Sequence, residues 1–162
     1  MSFNFNICEV FEIAEELERN GDLFYRKISN CFDNEQTQKK LLGLADLDRR
    51  HSDKFAEIKK GFSQTECPPT VFDPDNEDAL YLRAMADGHV FDIKKDLCVL
   101  VSGQSEKKIL RLAVKKEKEA LAFYLGLKAA VPNQADKDKV ETIIKAKMRQ
   151  LGVLNQELAA LG

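Results

Sequence analysis

Glycine and proline are scarce in this chain, numbering eight and four in 162 residues. A β-sandwich or barrel of similar length needs many more turns than that supply allows, so an all-helical fold is favoured. No pair of cysteines has CxxC spacing. Cys8, Cys31, Cys67 and Cys98 are scattered, which excludes zinc ribbons and thioredoxin-like redox chemistry. If Cys8 and Cys31 stand near opposite ends of one helix, they lie roughly 34 Å apart at about 1.5 Å per residue. The expectation is therefore free cysteines, acting as small apolar packers in a reduced, cytoplasmic protein. No Lys or Arg precedes Arg19, so a secretory signal is not expected, and no apolar run approaches the length of a membrane span. A cationic stripe interleaved with aromatics is missing as well. With 25 basic against 27 acidic residues and a net charge of −2, no nucleic-acid partner is expected. Neither a nucleophile motif nor a phosphate-cradling loop is visible.

What the chain does carry is helical periodicity. Apolar residues make up 44% of it and charged residues 32%, and its length suits one domain with its own core. A first helix is predicted from Ile7 to Phe32, opened by a capping box of Asn6 and Glu9. Asp33 and Gln36 form a second capping box, and the next helix runs to Gly61, a candidate αL terminator. Ser63 to Asn76 is Pro-rich and not helical throughout. Glu77 to about Val101 reads as a further amphipathic helix with a stripe of Ala79, Leu82, Ala86, Val90, Ile93, Leu97 and Leu100. Ser102-Gly103 ends it, and Ser105 caps a helix to Val131. After a turn at Pro132-Asn133, the last helix reaches Leu161.

Two of these helices share a pattern. Along the first, positions spaced three and four apart read Phe11, Ala14, Glu18, Gly21, Tyr25, Ile28 and Phe32. After Ser105 they read Leu110, Ala113, Glu117, Ala120, Tyr124, Leu127 and Val131, each 99 positions after its counterpart (117 against 18). The same shift places Leu41, Leu44, Asp48, His51, Phe55 and Phe62 on Val140, Ile143, Lys147, Gln150, Leu154 and Leu161. An ungapped register over two helical hairpins indicates an internal duplication. The expected architecture is a single domain spanning 1–162. It is an antiparallel four-helix bundle of two duplicated hairpins, about 7–62 and 105–161. A long crossover, 63–104, carries an extra helix between the second and third core helices.

Carboxylates in a bundle seam are costly to bury without a compensating charge. Carboxylate-bridged dinuclear bundles use one Glu from each of two helices and an acid-x-x-His from each of the other two. Hard carboxylate oxygens and neutral imidazoles suit such metals. Here Glu18 and Glu117 supply the lone carboxylates, and Asp48-Arg49-Arg50-His51 supplies one acid-x-x-His. The second motif should fall on positions 147 and 150, which hold Lys147 and Gln150 instead.

On these residues (ELERNGDLFY, LADLDRRHSDKF, VKKEKEALAFYLGLK and IIKAKMRQLGVL) the chain resembles the rubrerythrin-type members of the ferritin-like superfamily. The resemblance implies a cytoplasmic di-iron oxidoreductase that reduces peroxide or oxidises iron, often as a homodimer. Three features depart from it. The second acid-x-x-His is replaced, a further carboxylate expected near Ala120 is missing, and no iron–sulfur module follows the bundle within these residues. A complete di-iron pair is therefore not expected.

Glu18, Asp48, Glu117 and Lys147 sum to −2 with His51 neutral. One divalent ion (iron, manganese or zinc) on Glu18, Asp48 and His51 would neutralise the cluster, with Lys147 pairing Glu117. In the preferred metal-free arrangement, Lys147 sits between Glu18 and Glu117 while His51 is protonated against Asp48. Tyr25 and Tyr124 are expected to satisfy the carboxylates from the second shell of contacts. His89 reads as a packing or surface residue, and Arg49 and Arg50 as a solvated face. The apolar stripe of the crossover needs a cover, from its own chain or from the second copy of a homodimer. Nothing in the sequence names a redox or protein partner.

Overall fold

A computed structural model describes residues 7–62, 90–130 and 134–162 of the chain. Five helices stand in it: α1 (Ile7–Ser29), α2 (Glu35–Lys60), α3 (Leu97–Val101), α4 (Glu106–Ala130) and α5 (Gln134–Ala160). No strand occurs among the described residues. The Asn6 cap, Cys67, the Pro-rich run, the start of the crossover helix, His89 and the turn at Pro132-Asn133 lie outside those residues.

The two long pairs, α1 with α2 and α4 with α5, each pack along their length, and α1 also meets α4. Period-3.6 placement of apolar residues puts one face of every long helix toward a common axis. Phe11, Ala14 and Tyr25 on α1 and Leu110, Ala113 and Tyr124 on α4 are all within 1% of full burial. This is the all-helical bundle that the periodicity predicts. Its ends differ from expectation. Leu161, placed in the seam by the register, is 37% exposed because it falls beyond the last turn of α5.

Local signals explain the helix boundaries, with two corrections. Asn34, not Asp33, is the N-cap of α2, its Oδ1 accepting from the amides of Gln36 and Thr37 at 2.9 and 3.1 Å. Gly61 closes α2 in the right-handed region (φ −76°), its amide donating to the Ile58 carbonyl, so no αL residue is used there. Ser105 caps α4 as predicted through the Lys108 amide, and Gly103 turns the chain with φ +71°.

The crossover does not run as one helix to Val101. Phe91 to Asp96 is irregular, and Asp96 caps the five-residue α3 afresh. The new start resets the helical phase. Leu97 and Val101 turn inward, while Leu100 of the predicted stripe is half exposed.

The cysteines overturn the expectation of free thiols. Cys31 and Cys98 form a disulfide with a Cα–Cα distance of 5.2 Å, tying the end of α1 to α3 across 67 residues. Cys8 is also oxidised, and no free cysteine occurs among the described residues. Separation along one helix bears only on the pair Cys8 and Cys31; it says nothing about a cysteine delivered by the crossover. The inference of a reducing compartment from unpaired cysteines falls with it. Among the described residues, no helix is long and apolar enough to cross a membrane.

Candidate metal centre

Glu18 and Tyr25 stand seven residues apart on α1, two turns along one face, as do Glu117 and Tyr124 on α4. Asp48 and His51 are one turn apart on α2, and Lys147 and Gln150 one turn apart on α5. All eight side chains converge at the centre of the bundle. Glu18, Asp48, Glu117 and Lys147 are each 0% exposed, and the His51 side chain is 14% exposed.

The tyrosines reach across the bundle. Tyr25 Oη donates to Glu117 Oε1 at 2.8 Å, and Tyr124 Oη donates to Glu18 Oε1 at 2.9 Å. Each hairpin thus satisfies the carboxylate of the other, the reciprocity that the 99-residue register requires if the two hairpins face one another. Burial, reinforced by the facing carboxylates, raises the pKa of both phenols well above its ordinary value, so both remain donors.

Lys147 occupies the middle. Its Nζ lies 2.8 Å from Glu18 Oε1, 2.9 Å from Glu117 Oε2 and 3.3 Å from Asp48 Oδ1, and it donates to Gln150 Oε1 at 3.2 Å. An ammonium has three protons for these four acceptors, so the two longer contacts share one. Gln150 Nε2 donates in turn to Asp48 Oδ1 at 3.0 Å. Desolvation alone would lower the Lys147 pKa. The three carboxylates outweigh it and hold the ammonium charged, well above its ordinary value.

His51 does not pair with Asp48. Its Nδ1 faces Glu18 Oε2 at 3.5 Å, near enough for Coulombic attraction but outside good hydrogen-bond geometry. Its ring stacks on Phe55, with centroids 6.2 Å apart. For Glu18, burial raises the pKa, but Lys147 foremost and then His51 overcome it and hold the carboxyl at about 2. Asp48 goes the other way. Burial raises its pKa well above the ordinary value, Lys147 opposes this without prevailing, and Glu117 and Glu18 push it further up.

Lys147 leaves one side of the cluster unsatisfied. Glu18 Oε2, Asp48 Oδ2 and His51 Nδ1 are buried with no hydrogen-bond partner among the described residues. Those three residues each offer a ligand atom within 4.8 Å of the others. Two carboxylates and an imidazole grouped in this way, each with one orphaned buried atom, are a donor set of the type that fits one divalent cation. A complete pair of metal ions does not fit. The ammonium stands among Glu18, Asp48 and Glu117, where a second cation would share those oxygens.

Two features of this pocket escape the sequence reading. Gly21 has no Cβ where one would collide with Asp48 Oδ2, so α1 passes close to the Asp48 carboxylate only because glycine is there. Its counterpart Ala120 shows that the register alone does not demand glycine. The second is Phe91, fully buried in the irregular stretch before α3 and packed on Phe24 and Tyr25 with centroids 5.5 and 5.7 Å away. Its Cε2 is 3.2 Å from where a Gly21 Cβ would sit, which makes it the apolar wall beside Asp48. Reading 77–101 as one continuous helix left Phe91 off the apolar stripe.

No protein-family model and no curated protein matches this chain. A crystal structure from Thermotoga maritima, assigned to the ferritin-like diiron-carboxylate proteins, is similar to it over 98% of this chain and 97% of that one, with a TM-score of 0.57 and 23% sequence identity. The likeness is one of fold: this chain has the ferritin-like helical fold.

Proposed function

We propose that this is a ferritin-like metal protein with a half-converted centre, in which Lys147 permanently fills one cation position and one divalent ion binds Glu18, Asp48 and His51. The observation that carries the reading is that Glu18, Asp48 and His51 each offer a ligand atom within 4.8 Å of the others, while each also keeps a buried atom with no hydrogen-bond partner among the described residues. Charge supports it. Three carboxylates and one ammonium leave −2 with His51 neutral, which one divalent ion cancels. Iron, manganese and zinc are the candidates by donor type. Bound iron would supply redox chemistry toward a peroxide, the oxidoreductase activity that a rubrerythrin-like ancestry suggests. The residues of this chain bind the ion, keep water out through Phe91 and Phe55, and hold protons on Tyr25 and Tyr124.

A metal-free structural protein is the second reading, favoured by the contacts of Lys147 to all three carboxylates. Elemental analysis of protein purified without chelator, followed by anaerobic titration with iron(II), separates the two. One equivalent per chain, lost in His51→Ala, is the expected result. Less than a tenth of an equivalent, both as purified and after loading, would leave the metal-free reading standing.

A further inference from the structure

The end of α1 and the short α3 meet around a disulfide that faces solvent. Cys98 is exposed and Cys31 half-buried. Both line an open pocket of about 250 Å³ whose charged lining is Lys27, Lys95 and Asp96. The carboxylate is already engaged, Asp96 Oδ1 accepting from the Val99 amide at 3.3 Å. Lys95 has a side chain 69% exposed and is held only loosely, 3.8 Å from Asp92. A disulfide resists exchange when no thiolate can reach its sulfurs. This one is within reach, at the floor of a pocket where two ammonium groups face one occupied carboxylate.

The same bond holds down part of the wall of the buried cluster. Residues 91–101 pack on α1 through α3 and are tied to it in three ways. The disulfide is covalent, Lys27 Nζ donates to the Ile93 carbonyl at 3.2 Å, and Phe91 packs on Phe24 and Tyr25. Phe91 is also the ring beside Gly21 and Asp48. We propose that Cys31–Cys98 is a thiol-exchange site for a small carboxylate-bearing thiol, and that opening it loosens the Phe91 wall beside Asp48. The thiolate attacks Cys98 Sγ, the more exposed sulfur. A new S–S bond forms there as the Cys31–Cys98 bond breaks, and the electron pair leaves on Cys31 Sγ. Cys31 then takes a proton from water and stands 3.2 Å from the Lys27 carbonyl, where a thiol can donate. A second small thiol attacks the mixed disulfide and frees Cys98. Two small thiols are thus oxidised to their disulfide while one protein disulfide is reduced to two thiols. The inference does not depend on the metal reading.

Exchange on the folded protein with glutathione, which carries two carboxylates, and with cationic cysteamine tests it. Trapping by alkylation and peptide mass spectrometry should find the first mixed disulfide on Cys98, with Cys31 alkylated. The ratio of the two rates, glutathione over cysteamine, should fall about fivefold in Lys95→Glu, which alters an exposed side chain. High salt should lower it in wild type. Hydrogen exchange on metal-free protein gives the second half. Reduction should quicken the amides of residues 91–101 by about tenfold or more and leave α4 and α5 unchanged. A disulfide that exchanges only once urea has unfolded the chain would overturn the proposal. So would first attack on Cys31, a rate ratio that ignores both Lys95→Glu and salt, or amides of 91–101 that exchange equally fast before and after reduction.

Discussion

Lys147 and Asp48 face each other at 3.3 Å in the centre of the bundle, 99 residues apart in the chain. By the register of the two hairpins they are counterparts, so an ammonium stands opposite the carboxylate that its own position would hold in a symmetric protein. Two carboxylates there would repel unless cations lay between them; a carboxylate and an ammonium attract. In the reading proposed above, the tethered ammonium takes the place of a bound cation.

Removing that cation should be expensive. Lys147→Ala leaves three buried carboxylates without their counter-charge, and breaking such a cluster typically costs about 3–5 kcal/mol. Lys147→Met keeps the volume and separates the charge effect from the cavity. Urea unfolding at pH 7 should show both variants destabilised, with partial recovery as the pH falls. Crowded carboxylates have folded pKa values above their unfolded ones, so the folded state takes up protons first. A Met variant as stable as wild type at pH 7 would mean the ammonium is not what stabilises the cluster.

Glu18 and Asp48 should shape the acid limb in opposite directions. The Glu18 pKa falls from 4.5 to about 2, so its contribution is present above pH 4.5 and is lost between pH 4.5 and about 2. Such a shift amounts to on the order of 3 kcal/mol. The raised pKa of Asp48 means the folded state keeps a proton that the unfolded chain gives up above pH 3.8, so stability declines as pH rises from there toward the folded value. In protein stripped of metal, Glu18→Gln should flatten the loss below pH 4.5, whereas Asp48→Asn should raise stability at pH 7. Identical pH profiles for wild type and both variants would refute these assignments.

The Cys31–Cys98 bond closes a segment of 67 residues that includes Phe91, the residue packed on Tyr25. Restricting an unfolded loop of that size contributes about 4 kcal/mol in the chain-entropy account. Cys31→Ser with Cys98→Ser should lower the urea midpoint accordingly. Hydrogen exchange should quicken around Phe91 and α3 before it does so in α4 and α5, since only the former are tied by this bond. Uniform quickening across all helices would show that the bond stabilises the bundle globally and not this segment.

The bundle was legible because its seams are regular. Two stripes with Glu and Tyr seven residues apart, in one ungapped register, specify which faces meet and at what level. The cluster followed from the same register, since residues at equal heights on four helices must converge. The asymmetry around Asp48 was less accessible. Gly21 reads as one more small seam residue until its distance to Asp48 is known, and Phe91 lies where an irregular stretch breaks the period. That His51 faces Glu18 instead of Asp48 is set by side-chain rotation, with its ring stacked on Phe55, which spacing along α2 does not encode. The disulfide escaped for a related reason. Cysteine spacing reports local motifs, whereas Cys31 and Cys98 meet through the path of the crossover.

Reversing the two substitutions tests whether the four helices still frame a two-metal centre. Lys147→Glu with Gln150→His restores an acid-x-x-His on α5 and completes the set of two lone carboxylates and two such motifs. Without metal the double variant should be less stable than wild type, because it adds a fourth carboxylate and removes the ammonium that bridges Glu18, Asp48 and Glu117. With iron(II) or manganese(II) the gap should narrow. Each ion that binds only the folded state adds about 2.7 kcal/mol at a hundredfold excess over its Kd, so under the proposed one-ion reading of wild type, the variant with two ions gains about 2.7 kcal/mol more than wild type does. Anaerobic metal titration followed by thermal unfolding gives both numbers. Two equivalents bound and a melting temperature that rises with metal would show that Lys147 and Gln150 alone separate this centre from a dinuclear one. A double variant that takes up no more metal than wild type would mean the backbone has also drifted, through the close approach of Asp48 to Gly21 and the packing of Phe91, from the geometry that two ions require.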